Sequence, residues 1–164
     1  LAACRRYPVE KLRGYSEDAV RRTLQKSRIQ PRTKVATIIV VEGVDVLQRL
    51  GDVVEELLDE NKECRLIQVS QGTVIIADDD SVSRVTKKLR SDQIISVTKG
   101  LVEIAVTSPE TIEKTAGLLA FLSGALASSG INIVEEMSCY TDTVFILERK
   151  DMTRAMEVLA QNLT

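Results

Sequence analysis

The hydrophobic pattern of this 164-residue chain occurs twice, and few folds accommodate such a repeat. Moving the sequence along itself by roughly 68 positions aligns apolar helix positions of one half with those of the other. The aligned pairs are Leu50 with Leu118, Val54 with Leu122 and Leu58 with Leu126. Self-similarity over this length is the signature of duplication, so we expect two copies of one small structural unit.

The first copy begins with a run of β-branched residues and continues as alternating strand and helix patterns. We expect strands over 35–41, 65–70, 73–77 and 94–97, and a helix over 44–61. A second helix is expected after the acidic run 78–80. The first helix should bury a stripe made of Leu47, Leu50, Val54, Leu57 and Leu58, which recur at helical spacing. The order is βαββαβ.

The second copy has the same order but ends one strand early. Strands are expected over 102–106, 131–138 and 143–147, and helices over 115–129 and 151–163, which gives βαββα. The predicted fold class is therefore α+β, with two tandem ferredoxin-like βαββαβ units and antiparallel sheets. We expect a basic helical segment over 1–33, a first unit over 34–99 and a second unit over 100–164.

The vacant strand position of the second unit needs an occupant, because an open sheet edge invites aggregation. Within the chain the candidate is the segment 29–33, which leads directly into the first strand. Its proline, Pro31, restricts it to an edge, and the vacancy lies at an edge. A partner chain is the alternative occupant.

Positive charge is concentrated at the amino-terminal end. Residues 1–34 contain ten Lys and Arg and three acids, a net charge of 10 − 3 = +7, and the other 130 residues carry 12 − 21 = −9. Ser16 followed by Glu17 and Asp18 predicts a helix start, with the helix running to Arg28, and 1–7 resembles the end of an earlier helix stopped by Pro8. The segment is either a solvated helical linker or a remnant of a helix-turn-helix that contacts DNA phosphates.

Composition excludes several classes of function. The chain has no His and no Trp, and aromatic residues make up 3% of it, which disfavours His-based catalysis, zinc sites and single-strand nucleic-acid binding. Its cysteines, Cys4, Cys64 and Cys139, form no metal-binding pair and no balanced disulfide set. We therefore expect a cytoplasmic, non-enzymatic protein without a metal or cofactor, and no apolar run is long enough for a membrane span.

The second unit resembles the ACT domain, and in particular the paired ACT units at the regulatory end of aspartate kinases. The similar residues are 116–122, Leu126, the stretch Gly130-Ile131-Asn132-Ile133, and Ser138. Gly117 precedes Gly130 by 130 − 117 = 13 residues, a spacing associated with that family. Small archaeal stand-alone ACT proteins are also similar. The resemblance implies regulation by a small molecule, usually an amino acid, that binds where two ACT units pair.

The candidate ligand site lies at two helix starts and one strand start between the units. Its predicted residues are Gly43, Val44, Asp45, Gly117, Leu118, Asn132 and Ile133. A ligand carboxylate suits the amino end of a helix, and a ligand ammonium group suits an acid. The acids within reach are Glu42, Asp45, Glu135 and Glu136.

The stretch between the strand 102–106 and Gly117 is longer than the resemblance implies, by about two helical turns. It is either a loop that covers the site or the first part of a longer helix. Ser108-Pro109 is a good helix start, so we expect the longer helix, with Gly117 inside it.

The helix of the second unit is apolar around most of its circumference, which predicts deeper burial than its counterpart and a homodimer interface. The favoured function is an amino-acid-binding regulatory protein. The alternatives are a transcriptional regulator with an ACT sensor and a structural oligomerisation module.

Overall fold

The computed structural model of the protein describes residues 16–162. Its helices are α1 (Glu17–Leu24), α2 (Val44–Asp59), α3 (Val82–Lys87), α4 (Leu118–Ser128) and α5 (Met152–Gln161). Its strands are β1 (Arg28–Val40), β2 (Cys64–Val69), β3 (Gly72–Asp78), β4 (Ile94–Thr107), β5 (Ile133–Cys139) and β6 (Asp142–Glu148). Short 3-10 turns occupy Ser91–Gln93, Glu110–Lys114 and Arg149–Asp151. No helix within residues 16–162 is long and apolar enough to cross a bilayer.

The strands are hydrogen-bonded in the order β2-β3-β1-β4-β6-β5. The pairs β1/β3, β2/β3 and β5/β6 are antiparallel, with Ile38 opposite Ile75 and Met137 opposite Val144. The first unit, residues 32–102, contains the order β2-β3-β1-β4, and the second unit contains β1-β4-β6-β5. Both are the arrangement of a ferredoxin-like βαββαβ unit, so the predicted fold class is confirmed.

Within the described residues, the second unit consists of 103–162 together with 16–31. β1 pairs with β3 only from Val35, and its residues 28–31 belong to the second unit next to β4. The amino-terminal segment therefore supplies the strand that the second copy lacks, as predicted. The predicted helical segment 1–33 is wrong over residues 28–33, which are β-strand, and its residues 1–15 lie outside the described part.

α1 begins as predicted and ends earlier than predicted. The Ser16 hydroxyl accepts a hydrogen bond from the Ala19 N–H at 3.3 Å, which caps the helix start. The helix stops at Leu24 instead of continuing to Arg28. The chain extends from Arg28 because strand pairing with β4 satisfies its backbone groups, and the helical pattern does not reveal that pairing.

The core of the first unit lies between α2, α3 and one face of the sheet. α2 buries Val46, Leu50, Val53 and Leu57. Leu50 and Leu57 were predicted, but Leu47 and Val54 are half-buried and Leu58 is 56% exposed. Both stripes fit a period of about 3.6 residues, so only packing against the sheet distinguishes them.

β4 is one strand where two were predicted, and it continues through Gly100 at φ 72°. β1 has a left-handed residue as well, Lys34 at φ 60°. Asp79 connects the two positions, since its N–H donates to the Lys34 carbonyl at 2.8 Å and its Oδ1 accepts from the Gly100 N–H at 3.0 Å. Asp79 thus forms hydrogen bonds to both long strands, β1 and β4, at their left-handed residues.

Candidate functional site

A cavity of about 600 Å³ lies in the second unit at the start of α4. Three elements form its wall: the 3-10 turn Glu110–Lys114, the first turn of α4, and the β5–β6 hairpin end. The lining residues are Ile112, Glu113, Thr115, Gly117, Leu118, Leu119, Ala120, Ser138 and Tyr140. We call this cavity the candidate pocket.

The predicted long helix from Pro109 is wrong, and its absence creates the candidate pocket. A single 3-10 turn, Glu110–Lys114, is followed by Thr115 in an extended conformation. Gly117 then adopts φ 86°, a left-handed conformation that no helix interior contains and that glycine adopts at little cost. α4 starts only at Leu118, so the segment before it stands as a separate wall.

The start of α4 has no capping side chain and no acid in its first turn. The first N–H groups of a helix have no acceptor within the helix, and the helix dipole adds positive potential there. Residues 117–120, which carry those groups, all line the candidate pocket. This wall suits an anionic group such as a carboxylate.

Acidic and hydroxyl groups also contribute to the lining of the candidate pocket. Glu113 lines the candidate pocket, and the Tyr140 hydroxyl donates to Glu110 Oε1 at 2.6 Å. That hydrogen bond is the main reason why the pKa of Tyr140 lies above its ordinary value, with smaller contributions from desolvation and from Glu113. The lining of the candidate pocket therefore includes both the start of a helix and a carboxylate-bearing residue.

Tyr140 is held in an uncommon backbone conformation. The hairpin pairs Cys139 with Asp142, so its turn has two residues, and Tyr140 takes φ 53° at the first of them. A bulky residue in the left-handed region is an outlier that surrounding contacts must maintain. Here the two-residue hairpin turn maintains it, because such turns require a positive φ at their first central residue.

The start of α2 in the first unit differs from the start of α4. Asp45 occupies its first turn and accepts a hydrogen bond from Gln93 Nε2 at 2.8 Å. Arg90 lies 3.7 Å from the same carboxylate. Gly43 precedes this helix and Val44 is 74% exposed. The protein's own acid thus already lies where a ligand anion would bind.

The remaining predicted residues lie at the start of β5. Asn132 is exposed and Ile133 is half-buried, and neither lines the candidate pocket. Glu136 accepts a hydrogen bond from the Ser123 hydroxyl of α4 at 3.1 Å, and burial raises the pKa of Glu135. Of the predicted site residues, the structure brings together Gly117 and Leu118.

The residues that the sequence reasoning missed are Glu113, Thr115 and Tyr140. One sequence feature points to this part of the chain. The stretch before Gly117 is unusually long, which indicates an insertion beside the site. Within residues 16–162, no group of three or more His, Cys, Asp or Glu residues is arranged to hold a metal ion.

A second cavity, of about 340 Å³, lies in the first unit beside Leu58, Cys64 and Arg65. Its cations already have partners, Lys62 with Asp80 at 3.1 Å and Arg65 with Glu63 at 3.1 Å. It offers no free charge to a ligand, so the candidate pocket is the better site.

Comparison with protein-family models and with curated proteins gives no match. Solved structures match over most of the chain. The ligand-free regulatory subunit of aspartate kinase from Thermus thermophilus superposes with a TM-score of 0.64 at 14% identity, covering 83% of this chain and 96% of that one. The chain has an ACT-type fold. It resembles the aspartate kinase regulatory region.

Two further structures extend this comparison. The aspartokinase alpha and beta subunits match with a TM-score of 0.64 at 20% identity, covering 82% of this chain and 95% of that one. Aspartate kinase from Clostridium acetobutylicum, described as an allosteric enzyme, matches with a TM-score of 0.67 at 12% identity, covering 83% of this chain and 34% of that one. At these identities the likeness establishes the fold.

Proposed function

We propose that this protein is a non-catalytic regulatory protein that binds a free amino acid in the candidate pocket. The observation that supports this proposal most is that the uncapped first turn of α4 and the acidic residue Glu113 line one cavity of about 600 Å³. Cavities of this size are typical of small-ligand sites. The similar proteins add support, because one is a regulatory subunit and another an allosteric enzyme.

The charges of the pocket match those of an amino acid. The ligand carboxylate would accept hydrogen bonds from the N–H groups of residues 118–120, where the helix dipole also favours a negative charge. Its ammonium group would lie near Glu113, and its side chain would lie near Ile112 and Leu119. A ligand with only one of the two charges would leave either the N–H groups of residues 118–120 or the Glu113 carboxylate without a partner.

The chain lacks residues that common catalytic mechanisms use, and this fits a regulatory function. It contains no His, and its described cysteines, Cys64 and Cys139, are free thiols without a neighbouring base of that kind. Burial raises the pKa of the Cys64 thiol, which opposes formation of a reactive thiolate. Free thiols persist in a reducing compartment, so we include a cytoplasmic location in this proposal.

Thermal denaturation of the full chain with each of the twenty amino acids tests the proposal. Ligand that binds only the native state adds about 2.7 kcal/mol at a hundredfold excess over its Kd, so a binding amino acid raises Tm measurably. Glu113→Gln and Gly117→Ala should abolish the rise, the second because alanine strains the left-handed position. Glu55→Gln, an exposed acid on α2, is the control.

Asn132→Leu distinguishes two placements of the ligand. If the ligand binds only in the candidate pocket, this variant keeps the full rise in Tm. If the site is the larger predicted one, which includes Asn132, Ile133 and 43–45, the rise decreases. A screen in which no amino acid raises Tm, or one in which Glu113→Gln responds like the wild type, contradicts the proposal.

A transcriptional regulator that contacts DNA through its amino-terminal residues is the second candidate. Arg21, Arg22 and Lys26 are exposed, and among residues 16–162 none of their side chains has an ion-pair partner. Cations on one short helix and directly after it suit a phosphate backbone.

DNA affinity measured across a range of salt concentrations tests the second candidate. Each neutralised phosphate adds about 0.9 to the slope of log K against log salt, so Arg21→Gln/Arg22→Gln should lower the slope by about 2. Lys87→Gln/Lys99→Gln removes two exposed cations from the first unit and is the control. Absence of DNA binding at low salt rejects this candidate.

A further inference from the structure

The segment 108–115, which we call the strap, connects β4 to α4 and carries one wall of the candidate pocket. α1 and the residues that directly follow it contact the strap through two pairs of hydroxyl groups. The Ser27 hydroxyl donates to Ser108 Oγ at 2.9 Å, and the hydroxyls of Thr23 and Thr115 are 3.3 Å apart. Thr23 and Ser108 are each 5% exposed, so water has little access to these contacts.

The opposite flank of the strap is attached to the β5–β6 turn. The Tyr140 hydroxyl donates to Glu110 at 2.6 Å, and the Ser108 N–H donates to the Thr141 carbonyl at 2.8 Å. The strap is therefore held from two sides, by α1 and by the hairpin end. Its own structure is one 3-10 turn, which is a weak element in isolation.

Thr115 links the two surfaces directly. It lines the candidate pocket, and its hydroxyl contacts Thr23 and donates to the Thr111 carbonyl at 2.7 Å. α1 is firmly docked in this arrangement, because Val20 and Leu24 are fully buried. A movement of the strap at the candidate pocket must therefore either break the contacts between the strap and α1 or be restrained by them.

We propose that α1 and the candidate pocket are coupled through the strap, so that α1 positions the pocket wall and occupancy of the pocket stabilises the docking of α1. The part about occupancy rests on the proposed function, and the coupling itself does not need a ligand. Coupling is reciprocal, so whatever binds in the pocket and whatever binds to α1 influence each other's affinity by the same factor. The exposed side of α1, with Arg21 and Arg22, becomes the output surface of the sensor.

Hydrogen exchange of the full chain without added ligand tests the coupling. Tyr140→Phe removes the hydrogen bond between the hairpin end and Glu110, which does not involve α1. We expect the amides of 20–24 to exchange about fivefold faster or more, which is the effect of losing one ordinary hydrogen bond. The backbone amides of β3 in the first unit should exchange at the wild-type rate. That result shows that the variant remains folded.

The reverse experiment perturbs α1 and observes the strap. Thr23→Val keeps the shape of the side chain and removes its hydroxyl, and we expect faster exchange at Ile112 and Thr115. Thr86→Val is the matched control, because that hydroxyl donates to the Val82 carbonyl of its own helix at 3.0 Å, as Thr23 does to Ala19 at 3.1 Å. Faster exchange of the strap in Tyr140→Phe without any change in α1, or equal effects of Thr23→Val and Thr86→Val on the strap, overturns the proposal.

Discussion

Gly72 shows how closely two backbones approach in the first unit. A Cβ atom at this position would lie 2.3 Å from the Val40 carbonyl oxygen, far inside the contact distance of the two atoms. Since that oxygen belongs to β1, whose partner is β3, the backbone cannot move without disturbing the strand pairing. Glycine is therefore required here for space.

Gly72→Ala should lower the free energy of unfolding by about 2 kcal/mol or more, because overpacked sites in this range must shift their neighbours. Gly51→Ala is the matched substitution, since no atom lies within 4 Å of its added Cβ and the position is in the middle of α2. Gly51→Ala should raise the free energy of unfolding by about 0.5–1 kcal/mol, because alanine is favoured over glycine inside a helix by that amount. Urea denaturation measures both, and equal effects of the two substitutions would contradict the clash at Gly72.

At the scale of elements, local patterns predicted most of what the structure contains. The two copies even end their first helices in the same way. Asn61 after α2 and Gly130 after α4 are left-handed, and the next N–H, of Lys62 or Ile131, bonds back to Leu57 or Leu126. The repeat is visible in the sequence because such caps and stripes depend on neighbours within one or two turns.

Elements whose form depends on distant residues were predicted less well. Ser108 has the features of a helix start, but its N–H bonds to Thr141 and its hydroxyl to Ser27, both remote in sequence. The same holds for the candidate site. Gly117 and Leu118 follow from the pattern of one helix, whereas Glu113 and Tyr140 meet them only when the strap and hairpin fold together.

At the scale of the whole molecule, α4 presents an apolar surface that residues 16–162 leave partly uncovered. Its eleven residues contain no charged side chain, and only Leu118, Leu122 and Leu126 are buried. Leu119 is 41% exposed and Ala120 is also exposed. The predicted deeper burial of α4 is therefore not present within one chain, because its own sheet covers one side only.

We expect a homodimer with α4 in its interface, because an uncovered apolar helix face is typical of association sites. Leu119→Glu should convert the dimer to a monomer, since it places a charge in that interface. Val44→Glu is the control, because this valine is exposed at the start of α2 and outside the expected interface. Sedimentation velocity at micromolar concentration measures the outcome, and a monomeric wild-type protein contradicts the expectation.

The strand order has a consequence for how the chain is made and how it could be divided. Because β1 contributes its first residues to the second unit, those residues are synthesised 103 − 31 = 72 positions before the segment that they join. During synthesis the first unit can complete its sheet with residues up to Val102 while that stretch still lacks the second half of β4. No single cut separates the two units as whole domains. A circular permutant that joins residue 162 to residue 16 and opens after Val102 would place each unit in one continuous stretch.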